Sequence, residues 1–320
     1  SATMEMFDAL YDSKDIKFIG VHDERTGVHM ADGYARSSGK PGIFLAGQNG
    51  PGATNLTTGL AQSMAAYSPV ISIAGSLSTE HIYRDAFQEV DQQSLFEPIT
   101  KKTWTITQTK RIPEIFREAF RVSMSPRKGP VQINIPRDIL AKESNFGNFQ
   151  KPENYRLNSI PVASLETIEK ASQMIFNAKN PVIIIGGGIK NSEGQSEVLA
   201  LAEKLNVPII MSPGHGDAIS FSHPLNAGQM GPRGNVVASR LAKEADVILA
   251  LGTRLGFNST FFSYDNININ SSIIQVELEP TALGRYFPIS LGIWGDAKQV
   301  ASQIYKSINK VKFTNEVNQW

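Results

Sequence analysis

The sequence runs to 320 residues, with 41% hydrophobic and 19% charged side chains and a formal net charge of +1. That balance gives no electrostatic footing for nucleic acid or an anionic membrane, and the apolar content is too high for a disordered chain. It holds no cysteine, which excludes disulfides, thiolate nucleophiles and cysteine-ligated zinc or iron–sulfur centres and fits a reducing compartment.

The length suggests two domains of about 150 residues each. No apolar run reaches the roughly 18 residues that span a bilayer, and no charged-then-apolar leader opens the chain. The expectation is a cytoplasmic protein whose partners are small molecules or further copies of itself.

In chain order, "SATMEMFDAL" reads as helix and "IKFIGV" (16–21) as an apolar strand. The charged stretch "HDERTGVHMADGYARSSG" (22–39) follows. Its spacing predicts a helix from Thr26 to about Ser38, with Gly39 as C-cap and Val28, Ala31 and Ala35 on the buried side. Glu24 then falls at the carboxyl end of a strand, where open α/β sheets collect ligands. "GIFLAG" (42–47), "PVISIAG" (69–75) and "GPVQINIP" (129–136) are continuous apolar runs suited to a parallel sheet covered on both faces. Between them Leu56, Leu60 and Met64 recur at helical spacing after a Gly-Pro-Gly turn. Ile112, Ile115, Phe116, Ala119 and Phe120 form a stronger amphipathic stripe.

The polar stretch "AKESNFGNFQKPENYRLNS" has neither periodicity and reads as an interdomain linker. Beyond it the alternation resumes with "PVIIIGGG" (181–188), "VPIIMS" (207–212), "ADVILALG" (245–252), "SIIQVEL" (272–278) and "PISLGI" (288–293). The fold class is α/β, two doubly wound domains with mainly parallel sheets. The expected boundaries are 1–140 for the first domain, 141–160 for the linker, 161–309 for the second domain and 310–320 for a further linker.

Three motifs could carry chemistry. "IIIGGGIKN" (183–191) is a strand running into glycines, a place for phosphate, but it lacks the third glycine of a dinucleotide fingerprint and no acid closes the next strand. A tight turn is the plainer reading. "GQNGPGATN" (47–55) lets backbone approach a ligand closely, yet Ala53 and Thr54 stand where a nucleotidase loop needs Lys and Ser or Thr. In the charged stretch, His22, Asp23 and Glu24 are consecutive, so an extended chain sends them to alternating sides and they cannot converge on one metal ion. A solvated turn and a carboxyl that does chemistry both remain open for Glu24.

"HDERTGVHMADGYARSSGK", "GQNGPGATN", "DAFQEVDQ" (85–92) and "INIPRD" (133–138) occur in the order and spacing that resemble thiamine-diphosphate-dependent decarboxylases and carboligases of the acetolactate synthase type. The first half resembles the pyrimidine-binding domain of that family. Residues from about 160 to 308 resemble its central Rossmann-like domain. The resemblance implies that Glu24, eight residues before Asp32, hydrogen-bonds a ring nitrogen of the cofactor's aminopyrimidine and shares a proton with it. A carboxyl suits that task because burial can raise its pKa toward neutrality. By the same resemblance Pro51 and Asn55 line the aminopyrimidine pocket, Ser1 and Ala2 form a small-residue loop near the cofactor, and Gln48, Phe87 and Gln88 face the substrate.

The implied reaction is carbon–carbon lyase or carboligase chemistry on a 2-oxo acid or related aldehyde. Gln48 and Asn49 replace the Thr-Ser of the synthases. With "QQSLFEP" (92–98) and "LALGTRLGFNSTF" (249–261) they look more like sulfoacetaldehyde acetyltransferase, which turns sulfoacetaldehyde and phosphate into acetyl phosphate and sulfite. A cation should then hold the sulfonate or phosphate, with Arg25, Arg84, Lys101 and Lys102 as candidates.

The implied cofactors are thiamine diphosphate with Mg2+. The synthases' FAD is left open, because the segment after "LALGTR" departs from their flavin pattern. In the family a third domain holds magnesium and the diphosphate through a Gly-Asp-Gly motif that occurs nowhere in these 320 residues. A fragment, inactive alone, is therefore expected, from an enzyme that is a homodimer or homotetramer. A non-catalytic two-domain binding or regulatory protein is the alternative of a different class.

Overall fold

A computed structural model describes residues 2–157, 159–308 and 320. The chain divides into two compact units, Ser1–Asn158 and Ser159–Trp320. Each has its own parallel sheet.

The first unit contains α1 (Met4–Tyr11), α2 (Glu24–Ser38), β1 (Gly42–Ala46), α3 (Pro51–Thr54), α4 (Thr57–Ala65), β2 (Val70–Ser76), α5 (Gln92–Phe96), β3 (Thr103–Thr105), α6 (Ile112–Met124), β4 (Val131–Pro136) and α7 (Arg137–Leu140). The strand order is β1-β2-β4-β3. β2 and β4 sit in the middle and are buried along nearly their whole length. Ile71, Ile73, Ile133 and Ile135 fill the face toward α6, while Ala74 joins the cluster under α2, α4 and α5. β1 is an edge strand, and Ile43 on it is exposed.

Helix α2 starts two residues before Thr26. Asp23 caps it by accepting from the Arg25 amide at 2.8 Å, and Gly39 ends it in the left-handed conformation at φ 70°. Val28, Ala31 and Ala35 are its buried stripe, as the spacing requires. Asp32 is buried beside them, accepting from Ser63 Oγ of α4 at 3.1 Å and pairing with Arg36 at 2.9 Å. The Ala-Asp-Gly-Tyr-Ala-Arg stretch therefore clamps two helices together.

One expected element is overturned. Residues 16–21 join no sheet, and Ile16, Phe18 and Ile19 are exposed. Phe18 meets Phe7 of α1 edge-on, with ring centroids 5.5 Å apart. A β-prone run becomes a strand only where a neighbouring strand supplies hydrogen bonds, and the sheet ends at β1. Glu24 consequently does not follow a strand; it is the first residue of α2. Helices that cross back over a parallel sheet run against its strands, so the start of α2 lies at the sheet's carboxyl edge all the same.

The second unit contains α8 (Leu165–Asn177), β5 (Pro181–Ile185), α9 (Gly187–Asn191), α10 (Gln195–Leu205), β6 (Ile209–Met211), β7 (Asn226–Gln229), α11 (Val236–Glu244), β8 (Val247–Leu251), α12 (Phe257–Thr260), β9 (Ser272–Glu277), β10 (Leu291–Trp294) and α13 (Ala297–Ser307). The order β10-β9-β8-β5-β6-β7 grows outward in both directions from β5 and β8, the reversal that marks a Rossmann-type sheet. The α8, α10 and α13 side of the sheet holds the larger core, and α11 covers the other side through Ala238 and Ala242. Of the expected linker 310–320, only Trp320 is among the described residues; it donates Nε1–H to the Pro181 carbonyl at 3.1 Å.

Candidate active site

At the carboxyl edge of the first sheet, loops from β1 and β2 meet the start of α2. Thr3 Oγ donates to the carbonyls of Ala46 and Gly47 at 3.0 and 3.2 Å. This seats Ala2 against Gly75, where a Cβ would come within 2.5 Å of the Ala2 methyl. Ser1 lies outside the described residues.

Glu24 is half-buried. Its Oε2 accepts from Asn55 Nδ2 at 3.0 Å, and its Oε1 lies 3.1 Å from where a Cβ at position 52 would stand. Gly52, lacking a Cβ, lets the loop pass close to that oxygen, which has no hydrogen-bond partner among the described residues. Pro51 is exposed at the start of α3, one residue before Gly52.

The other candidate residues gather on the opposite flank of the same loop. Gln48 Nε2 donates to Gln88 Oε1 at 2.8 Å and to Asn49 Oδ1 at 3.0 Å. Asn49, which is buried, donates Nδ2 to the carbonyls of Phe87 and Gln88 at 3.2 and 3.3 Å. Gly50 has φ +51°, and a Cβ there would sit 2.2 Å from the Gln88 carbonyl oxygen. Gln88 itself is left-handed at φ 60°. The Phe87 ring is 76% exposed, and among the described residues no hydrogen bond joins Phe87, Pro51 or Ala2 to Glu24.

Residues 83–89 are organised from within. The Glu89 carboxylate accepts from the amides of Tyr83 at 2.6 Å and Ala86 at 3.1 Å. The backbone amide of Tyr83, before those of Ala86, Asp85 and Arg84, holds that carboxyl below the usual glutamate range.

Below this edge Gln92 donates to the Gly75 carbonyl and to Asn134 Oδ1, which also accepts from Gln132. Ser76 Oγ and Asn134 Nδ2 are buried without a partner among the described residues. Each costs about 1–3 kcal/mol unless a ligand atom or water satisfies it. Sequence reasoning assigned no role to Asn49, Gly52 or Glu89. The signal for the first was an Asn-Gly pair between a strand and a helix, a turn device.

Comparison with known proteins now decides the family. The description "Thiamine pyrophosphate enzyme, N-terminal TPP binding domain" matches residues 1–95, and "Thiamine pyrophosphate enzyme, central domain" matches residues 168–304. The chain belongs to the thiamine pyrophosphate enzyme family. It is 36% identical over 313 residues to a probable acetolactate synthase large subunit of Methanococcus aeolicus, covering 97% of this chain and 52% of that one. It is 34% identical to the acetolactate synthase large subunit of Buchnera aphidicola subsp. Schizaphis graminum, covering 100% and 56%. To a sulfoacetaldehyde acetyltransferase of Castellaniella defragrans it is 36% identical, covering 99% and 52%. The chain thus spans about half the length of the curated relatives it matches.

For a thiamine pyrophosphate enzyme, the donor set fits the aminopyrimidine side of the cofactor. One carboxylate oxygen is anchored, and the other, beside Gly52, has no hydrogen-bond partner among the described residues. A magnesium diphosphate needs several oxygen ligands, and among the described residues no three His, Asp or Glu side chains are grouped to hold a metal ion.

Three of the four cations considered for a substrate anion are engaged. Arg25 pairs with Asp23 at 2.7 Å, and its side-chain hydrogen bonds pull that carboxyl down to about 2. Lys101 donates to the Val122 carbonyl and to Ser125 near the end of α6, and Lys102 pairs with Glu118 at 2.7 Å. The Arg84 guanidinium makes neither a side-chain hydrogen bond nor an ion pair among the described residues, and it lies on the Phe87–Gln88 loop.

In the second unit the glycine turn is a packing device. The Gly186 and Gly188 amides donate to the Leu251 and Gly252 carbonyls at 3.1 and 3.0 Å. A Cβ on Gly188 would stand 2.5 Å from Gly252 Cα. Neither amide is left for a further ligand. Among the described residues no helix is long and apolar enough to cross a membrane.

Proposed function

We propose that the chain supplies the aminopyrimidine-facing side of a thiamine-diphosphate-dependent carbon–carbon lyase or carboligase of the acetolactate synthase type, acting on a 2-oxo acid or a related aldehyde. The observation that carries this reading is Glu24, whose Oε2 is held by Asn55 while Oε1, close beside Gly52, has no hydrogen-bond partner among the described residues.

Thiamine diphosphate, when bound, supplies the carbanion chemistry that breaks and makes bonds beside a carbonyl. Glu24 would hold or release a proton at Oε1, the oxygen without the Asn55 contact. Asn55 keeps the carboxylate from rotating, and Pro51 and Ala2 contribute apolar surface that keeps water away. Phe87 and Gln88 would meet the substrate, with Gln48 beside them against Gln88. The reading leaves Mg2+ and the diphosphate to residues other than those described, and it takes the working enzyme to be a homodimer or homotetramer in the cytoplasm.

The test is Glu24→Gln in the holoenzyme, assayed in parallel with pyruvate and with sulfoacetaldehyde plus phosphate. Glutamine keeps the shape and removes the proton exchange, so turnover should fall about 10²–10⁴-fold with an unchanged circular dichroism spectrum. Full turnover in this variant would overturn the reading. Turnover of neither substrate by the wild type would favour a binding or regulatory protein, and the substrate accepted would separate synthase from acetyltransferase chemistry.

A further inference from the structure

The loop 48–52 touches Glu24 at Gly52 and the Phe87–Gln88 segment at Gly50. Whatever fixes this joint therefore fixes the second flank of the candidate site relative to the first. The joint is made of side-chain amides, and their donors and acceptors can be counted. A primary amide offers two N–H donors and one oxygen. Both donors of Gln48 are used, one on Asn49 Oδ1 and one on Gln88 Oε1, and Asn49 Nδ2 is used on two backbone carbonyls. Gln88 thus spends its acceptor on Gln48 and turns its Nε2 away from it.

We propose that Gln48 and Asn49 are positioning residues that set the polarity of Gln88, presenting its Nε2 donor rather than its oxygen, so that the site selects substrates offering an acceptor there, a carbonyl, carboxylate or sulfonate oxygen. The proposal rests on the reading of Gln88 as substrate-facing. Asn49 holds the backbone of residues 87 and 88 and Gln48 holds the side chain of Gln88. Gly50 permits the approach, since any Cβ there would strike the Gln88 carbonyl. An acceptor at position 48 should reverse the arrangement: in Gln48→Glu the carboxylate draws in the Gln88 Nε2 and turns Oε1 outward.

Side-chain amide hydrogen exchange by NMR on the chain as it stands tests this without cofactor. In the wild type the Gln48 and Asn49 amide protons should exchange at least 10-fold more slowly than those of Gln88. Gln48→Glu should slow the Gln88 protons by at least 10-fold, whereas Gln48→Met should leave them fast. Equal protection of Gln48 and Gln88 in the wild type, or no response in Gln48→Glu, overturns the proposal. As a second reading, Asn49→Ala should raise backbone exchange across residues 83–90 about 10-fold and leave β2 unchanged. Asn49→Asp, with the same shape and no donor, should behave alike; protection equal to the wild type in Asn49→Asp counts against the proposal. Because these measurements need no turnover, they can fail while the Glu24 reading stands, or hold while it falls.

Discussion

Asn55 donates Nδ2–H to Glu24 Oε2 at 3.0 Å and so holds the carboxylate by one oxygen only. The contact lies near the surface, where water competes for both partners and it contributes about 1 kcal/mol at most. Asn55→Ala should shift the melting temperature by no more than a few degrees. Turnover in the holoenzyme should fall about 10-fold or more, because the freed carboxylate samples other rotamers. Kinetics and thermal denaturation of the same preparation check this, and loss of both in equal measure would assign Asn55 to folding alone.

Gly52→Ala tests the close approach to the other oxygen. The added methyl would lie 3.1 Å from both Glu24 Oε1 and Gln48 Cβ, a crowding that shifts neighbours by tenths of an ångström. The chain should fold, since position 52 lies in helix α3 with no left-handed backbone to strain. Affinity of the holoenzyme for thiamine diphosphate, measured by calorimetry, should fall by about 10-fold or more, roughly 1.4 kcal/mol.

The Glu89 turn gives a pH dependence of known sign. Its carboxyl sits below its ordinary 4.5 because backbone amides, that of Tyr83 first, bind the ionised form. The support it gives residues 83–89 is therefore complete above about pH 4.5 and is lost as pH falls through the lower folded-state value. The Tyr83 and Ala86 amide resonances should move in that acid window and should not titrate in Glu89→Gln. Asp91 also titrates low, but it caps α5 through Ser94, so the Glu89→Gln control separates the two.

Gly188→Ala probes the second unit. A Cβ at that position would lie 2.5 Å from Gly252 Cα, which is backbone and cannot turn aside. Two strand ends would have to part, and denaturant unfolding should show a loss of about 1–3 kcal/mol or more. A neutral effect would show the turn to be looser than its geometry indicates.

Most of the parallel sheet architecture was legible in the residues. Isoleucine-rich runs at 71–73, 131–135 and 182–185 can only be central strands, and Val28, Ala31 and Ala35 fall at helical spacing. β3 and β7 were not legible. "TWT" is too short and "NAGQ" too polar to announce a strand, and each exists because a neighbour offers its edge. The run 16–21 fails for the opposite reason, being apolar with no edge to join.

Of the candidate site, Glu24 could be reached through the family resemblance, in which it stands eight residues before Asp32. Its location at the carboxyl edge comes from the direction of α2 and not from a preceding strand. The amide joint of Gln48, Asn49 and Gln88 lay beyond sequence reading, because which amide meets which is decided by two loops 40 residues apart.

The Asp32 clamp bears on the site at a distance. Asp32 lies eight residues after Glu24 and Ser63 eight after Asn55, so the buried Asp32–Ser63 bond and the Glu24–Asn55 bond are two rungs between the same pair of segments, about 12 Å apart along a helix. Two rungs remove the freedom of one helix to swivel about the other, which a single contact leaves. A change at Asp32, far from any reacting atom, should therefore register as slack in the bearing of Glu24, and the spacing that betrays the glutamate in the sequence is the spacing that squares the frame around it.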